Sequence, residues 1–162
     1  MMGNRLGFCQ LHLVDAGVDT GDLVRTEEFL YPADCRTPED YEKLYLDKNF
    51  SFLIDFIEEV RQQGIVIETT KQSEYLSSYW PRLSTSENGW IDWSESIHSL
   101  ERFICAFDKP YDGCKTFLNS NKVFIRAVMS DFGDQSFHKF QSGIIYRKSS
   151  SWVMVATDGG SL

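Results

Sequence analysis

The chain has 162 residues, of which 42% are hydrophobic and 14% aromatic, a composition typical of a folded protein with a buried core. Its uncharged apolar runs are shorter than the roughly 20 residues that a membrane-spanning helix needs, and polar residues interrupt the first 14 positions, so no secretory signal is predicted. A net charge of −8 disfavours nonspecific binding to DNA. We therefore expect a cytoplasmic protein that binds neither DNA nor membranes.

The charge is unevenly distributed along the chain. Residues 1–108 carry 9 basic and 20 acidic side chains, a net charge of −11, whereas residues 109–162 carry 7 and 4, a net charge of +3. Seven dispersed cations form no dense basic patch, so a solvated surface is favoured over a phosphate or RNA contact. The four cysteines and three histidines lack the spacing of a zinc site, and we expect free thiols and no metal.

The first predicted elements are two strands that flank a loop. Residues 8–14 alternate, with Cys9, Leu11 and Leu13 on one face, as in a half-buried strand. Residues 15–22 contain two glycines and three aspartates, which indicate a loop. A second strand is predicted for residues 23–31.

A long helix is predicted for residues 38–63. Thr37 can cap the first turn, Pro38 suits the first helical position, and Gly64 is placed to end the helix. A break near Asn49 is an alternative, because so long a helix is uncommon. The residues of the predicted apolar face recur at three- and four-residue steps. They are Tyr41, Leu44, Tyr45, Phe52, Phe56, Ile57 and Val60.

The rest of the chain predicts an irregular segment, a second helix and a small β lobe. Residues 65–93 support only short extended pieces, and Ser94 then opens a helix. The apolar face of that helix carries Ile97, Leu100, Ile104 and Phe107. Short strands are predicted at 115–118, 123–128, 143–146 and 152–156. The fold class is therefore α/β followed by a small antiparallel β lobe.

Several motifs recur in the order that one enzyme family shows. Residues 11–24 read Leu-His-Leu-Val-Asp-Ala-Gly-Val-Asp-Thr-Gly-Asp-Leu-Val, and Gln72 and the segments 79–83, 89–93 and 104–113 follow. This set resembles the folate-dependent formyltransferases, which include methionyl-tRNA formyltransferase and the amino-sugar formyltransferases. The resemblance implies a partial, Rossmann-like formyltransferase domain followed by an open-barrel-like carboxy-terminal domain.

The same resemblance implies a division of the chain into three parts. Residues 1–70 would be the carboxy-terminal part of the catalytic domain, residues 71–108 a linking arm and helix, and residues 109–162 a truncated carboxy-terminal β lobe. The family's Asn-x-His pair is absent, because no asparagine is followed two residues later by histidine. We expect that the chain begins after that pair.

The resemblance also implies site residues. In the family, the Asn-x-His pair and a loop carboxylate promote transfer of a formyl group from 10-formyltetrahydrofolate to a primary amine. By position, Asp19 is the catalytic carboxylate. The folate would be lined by Asp15, Ala16, Gly17, Val18 and Asp19, where small residues permit close approach of a flat ring. We expect His12 to be structural rather than a substitute for the missing histidine.

Arg82 and Trp80 are candidate acceptor-binding residues, able to pair with a phosphate and to stack on a base or sugar. The alternative is packing against the second helix, which we favour for Trp80 and weigh equally for Arg82. The expected acceptor is an amino-sugar nucleotide. The alternatives are a methionyl-tRNA formyltransferase fragment and a catalytically inert interaction or remnant module.

Whether the chain is itself an enzyme stays open, because the Asn-x-His pair is missing. We expect the chain alone to be inactive. We also expect that apolar surface left by the absent sheet causes self-association, or that another chain supplies the missing amino-terminal half.

Overall fold

The computed structural model describes residues 3–64, 67–133 and 137–162. The chain divides into two compact units. The loop unit comprises Arg5–Cys35 and Asp40–Arg82, and the carboxy-terminal unit comprises Arg36–Glu39 and Leu83–Leu162 together with residues 3–4. The division at residues 70 and 108 that the sequence suggested stays a prediction.

Two antiparallel strands form the start of the loop unit. Strand β1 covers Leu6–His12 and β2 covers Leu23–Leu30, with Leu6 opposite Leu30 and an irregularity between Leu11 and His12. The predicted pair of strands on either side of a loop is confirmed. Cys9 is buried as expected, but Leu13 is 46% exposed because it lies beyond the end of β1, within the loop.

Helix α1 covers Pro38–Gln63 without a break, so the alternative of a break near Asn49 is wrong. Gly64 follows with φ of 58°, the left-handed conformation in which helices commonly end. Phe52 is buried, and most of the predicted apolar face is at least half-buried. The prediction is wrong for Tyr45 and Ile57, which are 42% and 50% exposed. Periodicity detects apolar residues on a helix but does not show which of them a neighbouring element covers.

A second line of apolar residues runs along the exposed side of α1. Its members follow one another at steps of four, three and four residues and therefore share one face of the helix. They are Leu46, Phe50, Leu53 and Ile57, called the apolar stripe below. Their exposed fractions are 59%, 69%, 43% and 50%. Exposed apolar residues are ordinary when scattered, but a contiguous line of them indicates a surface that another element covers.

The carboxy-terminal unit contains the remaining α-helices. Helix α2 covers Thr85–Asn88 and α3 covers Ile97–Ala106. The predicted start of the second helix at Ser94 is wrong: Ser96 caps α3, and its Oγ accepts a hydrogen bond from the Ser99 N–H. The N–H and hydroxyl of Ser94 instead donate to Asp92 Oδ1, which forms a turn before the helix. Helix α2 lies in a segment that was predicted to be irregular.

The strands of this unit form small antiparallel sheets. Strands β3 (Cys114–Leu118) and β4 (Asn121–Ile125) form a hairpin. Strands β5 (Ile145–Lys148), β6 (Val153–Thr157) and β7 (Gly160–Ser161) form a sheet in the order β5-β6-β7. The mixed α/β class with small antiparallel sheets is confirmed. The Rossmann-like and open-barrel-like features stay predictions.

The core of the carboxy-terminal unit centres on α3. Its buried face consists of Ile97, Leu100, Ile104 and Cys105. Ile104 forms a buried cluster with Phe107 and Cys114, which joins the helix to strand β3. Among the described residues, no helix is both long and apolar enough to cross a membrane.

Candidate functional site

The loop between β1 and β2 is closed by its own backbone. The Leu13 N–H donates to the Asp22 carbonyl at 2.9 Å. A Cβ at residue 21 would lie 1.7 Å from the Leu13 carbonyl oxygen, so only glycine fits there. The two ends of the loop therefore meet directly at the end of the hairpin, and residues 15–22 form a compact turn outside it.

Asp15 organises the first half of the 15–22 loop. Its Oδ1 accepts hydrogen bonds from the Gly17 N–H at 3.0 Å and from the Thr20 hydroxyl at 2.6 Å. The Thr20 hydroxyl first, and the Gly17 N–H second, lower the pKa of the Asp15 carboxyl from its usual value. A Cβ at residue 17 would lie 2.1 Å from Thr20 Oγ1. Contact with Thr20 within the turn therefore requires glycine at position 17. Close approach of a flat ring, the reason expected from the sequence, is not needed to explain this glycine.

Asp19 lies at the outer side of the loop with its carboxylate free of the backbone. Its φ is 57°, a conformation that residues other than glycine rarely adopt, and its side chain is 85% exposed. Its carboxylate pairs with His12, whose Nε2 lies 3.6 Å from Asp19 Oδ1. The structure therefore brings the predicted catalytic carboxylate beside an imidazole.

His12 is oriented by the strand on which it lies. Its Nδ1 is 3.0 Å from the Leu13 carbonyl oxygen, which can only accept, so this contact favours the tautomer with the proton on Nδ1. Nε2 then faces Asp19 Oδ1. The sequence reasoning set His12 aside as structural. Its position seven residues before Asp19, at the strand end to which the loop returns, is the signal that points to the pair.

A residue far along the chain binds the second half of the loop. Gln72 Nε2 donates to the carbonyl oxygens of Asp19 and Gly21, at 3.0 Å and 2.6 Å. Thr69 Oγ1 donates to Asp22 Oδ2 at 3.3 Å. The family resemblance includes Gln72 among its matching residues but implies no role for it. The structure gives it a contact with the backbone of the candidate catalytic residue.

Comparison with known proteins identifies the family. Residues 83–162 match the family described as "Formyl transferase, C-terminal domain". A methionyl-tRNA formyltransferase from Ruminiclostridium cellulolyticum is 27% identical over 125 residues, covering 76% of this chain and 38% of that protein. Residues 83–162 of this chain belong to the formyltransferase family. The chain spans little more than a third of the length of this curated relative.

Solved formyltransferase structures share the fold of this chain. The N-formyltransferase from Helicobacter canadensis, solved in complex with folinic acid and dTDP-3-aminofucose, aligns with a TM-score of 0.64 and 19% identity, over 97% of this chain and 54% of that one. WlaRD, a sugar 3N-formyl transferase solved in the presence of dTDP and 5-N-formyl-THF, aligns with a TM-score of 0.62 and 18% identity. That alignment covers 98% of this chain and 53% of WlaRD.

The candidate acceptor residues lie apart from the loop contacts. Trp80 is 78% exposed and its indole N–H donates to Ser78 Oγ. The second helix lies in the carboxy-terminal unit, and the packing of Trp80 against it stays a prediction. Arg82 is also exposed. Within the described part of the chain, no hydrogen bond or ion pair joins either side chain to residues 15–22. The structure thus places both on the surface of the loop unit without a contact that assigns them a ligand.

The described residues contain no group of three or more histidine, cysteine, aspartate or glutamate side chains that could hold a metal ion. All four cysteines are free thiols, and three of them are buried. Burial raises the pKa of the Cys114 thiol to about 12. This cysteine therefore stays protonated at neutral pH and belongs to the core.

Proposed function

We propose that this chain provides the carboxylate-bearing loop of a folate-dependent formyltransferase, which transfers a formyl group from 10-formyltetrahydrofolate to a primary amine. The observation that carries the proposal is the placement of Asp19 beside His12 on the hairpin loop of a formyltransferase-family chain. Two structures with the same fold support the choice of donor, since they were solved with folinic acid and 5-N-formyl-THF. Formyltetrahydrofolate supplies the activated one-carbon group.

The exposed residues of the loop fit a flat heteroaromatic ring. Residues 15–18 all lie on the surface, so their backbone N–H and carbonyl groups are within reach of a ligand except where Asp15 already binds Gly17. Val14 and Val18 are 95% and 89% exposed and offer apolar contacts beside them. Such a mixture of apolar surface and a few polar groups is typical of a cofactor site. We assign Asp15, Ala16, Gly17, Val18 and Asp19 to this contact.

The proposed roles of the residues follow from their geometry. Asp19 accepts a proton from the ammonium group of the acceptor, which leaves a neutral amine to attack the formyl carbon, or it holds an imidazole that takes this proton. Its exposed carboxylate lies 3.6 Å from the His12 imidazole. His12 can share that proton through Nε2. The sequence contains no Asn-x-His triplet. Each oxyanion donor lost from an acyl-transfer site costs on the order of 3 kcal/mol, or ~100-fold in rate. Residues 1–162 by themselves are therefore proposed to be inactive at enzymatic rates.

The proposed acceptor is an amino-sugar nucleotide, with Arg82 pairing with a phosphate and Trp80 stacking on a ring. The net charge of −11 on residues 1–108 argues against a tRNA acceptor, which needs several phosphate contacts. A methionyl-tRNA acceptor stays the second candidate, because the curated relative carries that activity in its name. The proposal places the activity in the cytoplasm. It also keeps the division of the chain at residues 70 and 108, with a Rossmann-like first part and an open-barrel-like last part.

The apolar stripe of α1 is proposed to be covered by another polypeptide. In a solution of this chain alone the available cover is a second copy, so we propose that the purified chain self-associates through the stripe. A polypeptide that supplies an Asn-x-His pair is the competing occupant. The third candidate function, an inert interaction module, predicts the same association with no binding of folate.

A formyl-transfer assay with 10-formyltetrahydrofolate and an amino-sugar nucleotide tests the proposal. The chain is assayed alone and mixed with a polypeptide that carries an Asn-x-His segment of the family. Activity is expected in the mixture, at least ~100-fold above the chain alone. Asp19→Asn should remove most of it, whereas Asp55→Asn on the exposed side of α1 should not. Robust turnover by the chain alone that Asp19→Asn leaves unchanged would show that the active site lies elsewhere.

A further inference from the structure

Gln72 holds the second half of the 15–22 loop with both hydrogens of its carboxamide. Nε2 donates to the carbonyl oxygens of Asp19 and Gly21, so its full donor capacity is used on one loop. We propose that Gln72 is a positioning residue that fixes the loop backbone and so keeps the Asp19 carboxylate beside the His12 imidazole. That this position of Asp19 serves catalysis rests on the proposed function. That Gln72 holds Asp19 beside His12 does not depend on it.

The chain that carries Gln72 is anchored at the end of the loop. Leu23 and Thr70 exchange two backbone hydrogen bonds of 2.8 Å each, which form an isolated antiparallel bridge. Gln72 follows Thr70 by two residues and Gly21 precedes Leu23 by two, so the register of the bridge places the carboxamide against the loop carbonyls. A side chain 51 to 53 residues distant in sequence is thereby brought to the loop by one backbone contact.

Asp19 requires a restraint of this kind. A φ of 57° at an aspartate is unfavourable and persists where the surroundings hold it. Asp15 restrains the first half of the loop through Gly17 and Thr20, and Gln72 restrains the second half. Gln72 binds the backbone carbonyl of Asp19, while the Asp19 carboxylate faces His12.

Nuclear magnetic resonance of the full 162-residue chain tests the positioning role. In the wild type, Asp19→Asn should shift the His12 ring resonances, because Nε2 lies 3.6 Å from the carboxylate. In a Gln72→Met background, where the side chain has similar length but no donor, the same substitution should leave those resonances unchanged. Gln72→Lys, which restores N–H donors, should restore the response. A purely structural role of Gln72 would not produce this pattern of loss and rescue.

Amide hydrogen exchange gives a second measurement. Exchange within residues 15–22 should be roughly tenfold faster in Gln72→Met, the effect of losing one or two hydrogen bonds. Gln62→Met, the matched change on the exposed side of α1, should alter neither measurement. If Gln72→Met does not fold, Gln72→Asn provides the same test with a side chain too short to span both carbonyls. If Asp19→Asn shifts the His12 ring resonances by the same amount in the wild type and in Gln72→Met, the proposal is overturned.

Titration with 5-formyltetrahydrofolate separates this proposal from the proposed function. Loss of the His12 response in Gln72→Met supports the positioning role whether or not the wild type binds the folate. Absence of folate binding by the wild type, with that loss observed, counts against the proposed function alone. If the wild type binds the folate, but Asp19→Asn shifts the His12 resonances equally with and without Gln72→Met, only the positioning role is overturned.

Discussion

The two units differ most in how much of a core each one has. Among the described residues, the buried apolar side chains of the carboxy-terminal unit are Ile97, Leu100, Ile104, Cys105, Phe107, Cys114, Val155 and Ala156. Those of the loop unit are Cys9 and Phe52. The carboxy-terminal unit is thus held by its own packing, whereas the loop unit exposes the apolar stripe. The family match begins at Leu83, the residue at which the main segment of the better-packed unit begins.

The better-packed unit and the unit that carries the candidate catalytic loop are therefore different parts of the chain. The candidate catalytic loop lies in the unit with the smaller core, and its geometry depends on side-chain contacts of Asp15 and Gln72 with the backbone. Segments with few buried apolar contacts open more readily than core elements. A covering polypeptide would therefore affect the loop unit more than the carboxy-terminal unit.

The largest effect is expected for a truncation in the carboxy-terminal core. Leu100 is 1% exposed, so Leu100→Ala should lower the free energy of unfolding by about 2–5 kcal/mol. The matched change Leu46→Ala, on the apolar stripe at 59% exposure, should cost less than about 1 kcal/mol. Urea denaturation followed by tryptophan fluorescence measures both. Equal losses would mean that the stripe is as well packed as the core.

An ion pair in each unit gives the next contrast. Arg36 pairs with Glu101 and donates to the Val128 carbonyl at 2.9 Å, with exposed side-chain fractions of 42% for Arg36 and 23% for Glu101. Arg36→Gln should destabilise the chain by about 1–2 kcal/mol, because the partly buried Glu101 carboxylate loses its cation. The comparison is Arg25, which pairs with Glu59 at 3.0 Å in the loop unit.

Arg25→Gln should cost no more than about 1 kcal/mol, since Glu59 is 46% exposed and solvent screens the pair. Both variants are measured by urea denaturation at low and at high salt. The loss in Arg36→Gln should persist at high salt, while the smaller loss in Arg25→Gln should diminish. The reverse ranking would contradict the view that the carboxy-terminal unit is the better-packed one.

Association is expected to depend on the loop unit. Phe50 is 69% exposed on the apolar stripe, and Phe50→Ser should weaken self-association roughly tenfold, as loss of one buried aromatic contact would do. Phe140→Ser in the carboxy-terminal unit is the control, because Phe140 is exposed to a similar extent, 77%, outside the stripe. Sedimentation velocity over a concentration series measures both. A wild type that stays monomeric at high concentration would disprove self-association.

The sequence predicts elements whose limits are set locally. Pro38 and Gly64 mark the limits of α1 because helix starts and ends depend on adjacent residues. The exposure of Ile57 was not predictable, since burial depends on what packs against the helix. Strand β7 was also missed, because two residues, Gly160–Ser161, carry no periodic pattern.

For the candidate site, sequence motifs indicate residues but not their contacts. Asp19 was singled out from the family resemblance of residues 11–24, and its role stays a prediction. The approach of His12 to within 3.6 Å depends on the path by which the loop returns to β2. The contact of Gln72 with the Asp19 carbonyl joins residues 53 positions apart. Such distant contacts arise from tertiary structure, which local sequence patterns do not determine.

The smallest effect concerns the pH dependence of the carboxy-terminal core. Cys114 is fully buried, and desolvation raises its pKa from 9.0 to about 12. In the unfolded chain the thiol ionises near pH 9, so between pH 9 and 12 the unfolded state binds fewer protons than the folded state. The stability contributed by the buried thiol is therefore fully present below pH 9 and is lost as the pH rises towards 12.

Wild type and Cys114→Ala, compared by urea denaturation at pH 8, 9 and 10, isolate this contribution, because other groups that titrate in this range cancel in the difference. The wild type should lose about 1 kcal/mol more than Cys114→Ala between pH 9 and 10. Cys35→Ala in the loop unit should show a smaller difference, since Cys35 is only partly buried although its pKa is also raised by burial. Parallel pH profiles for wild type and Cys114→Ala would mean that water reaches Cys114, and that the carboxy-terminal core is no drier than the loop unit.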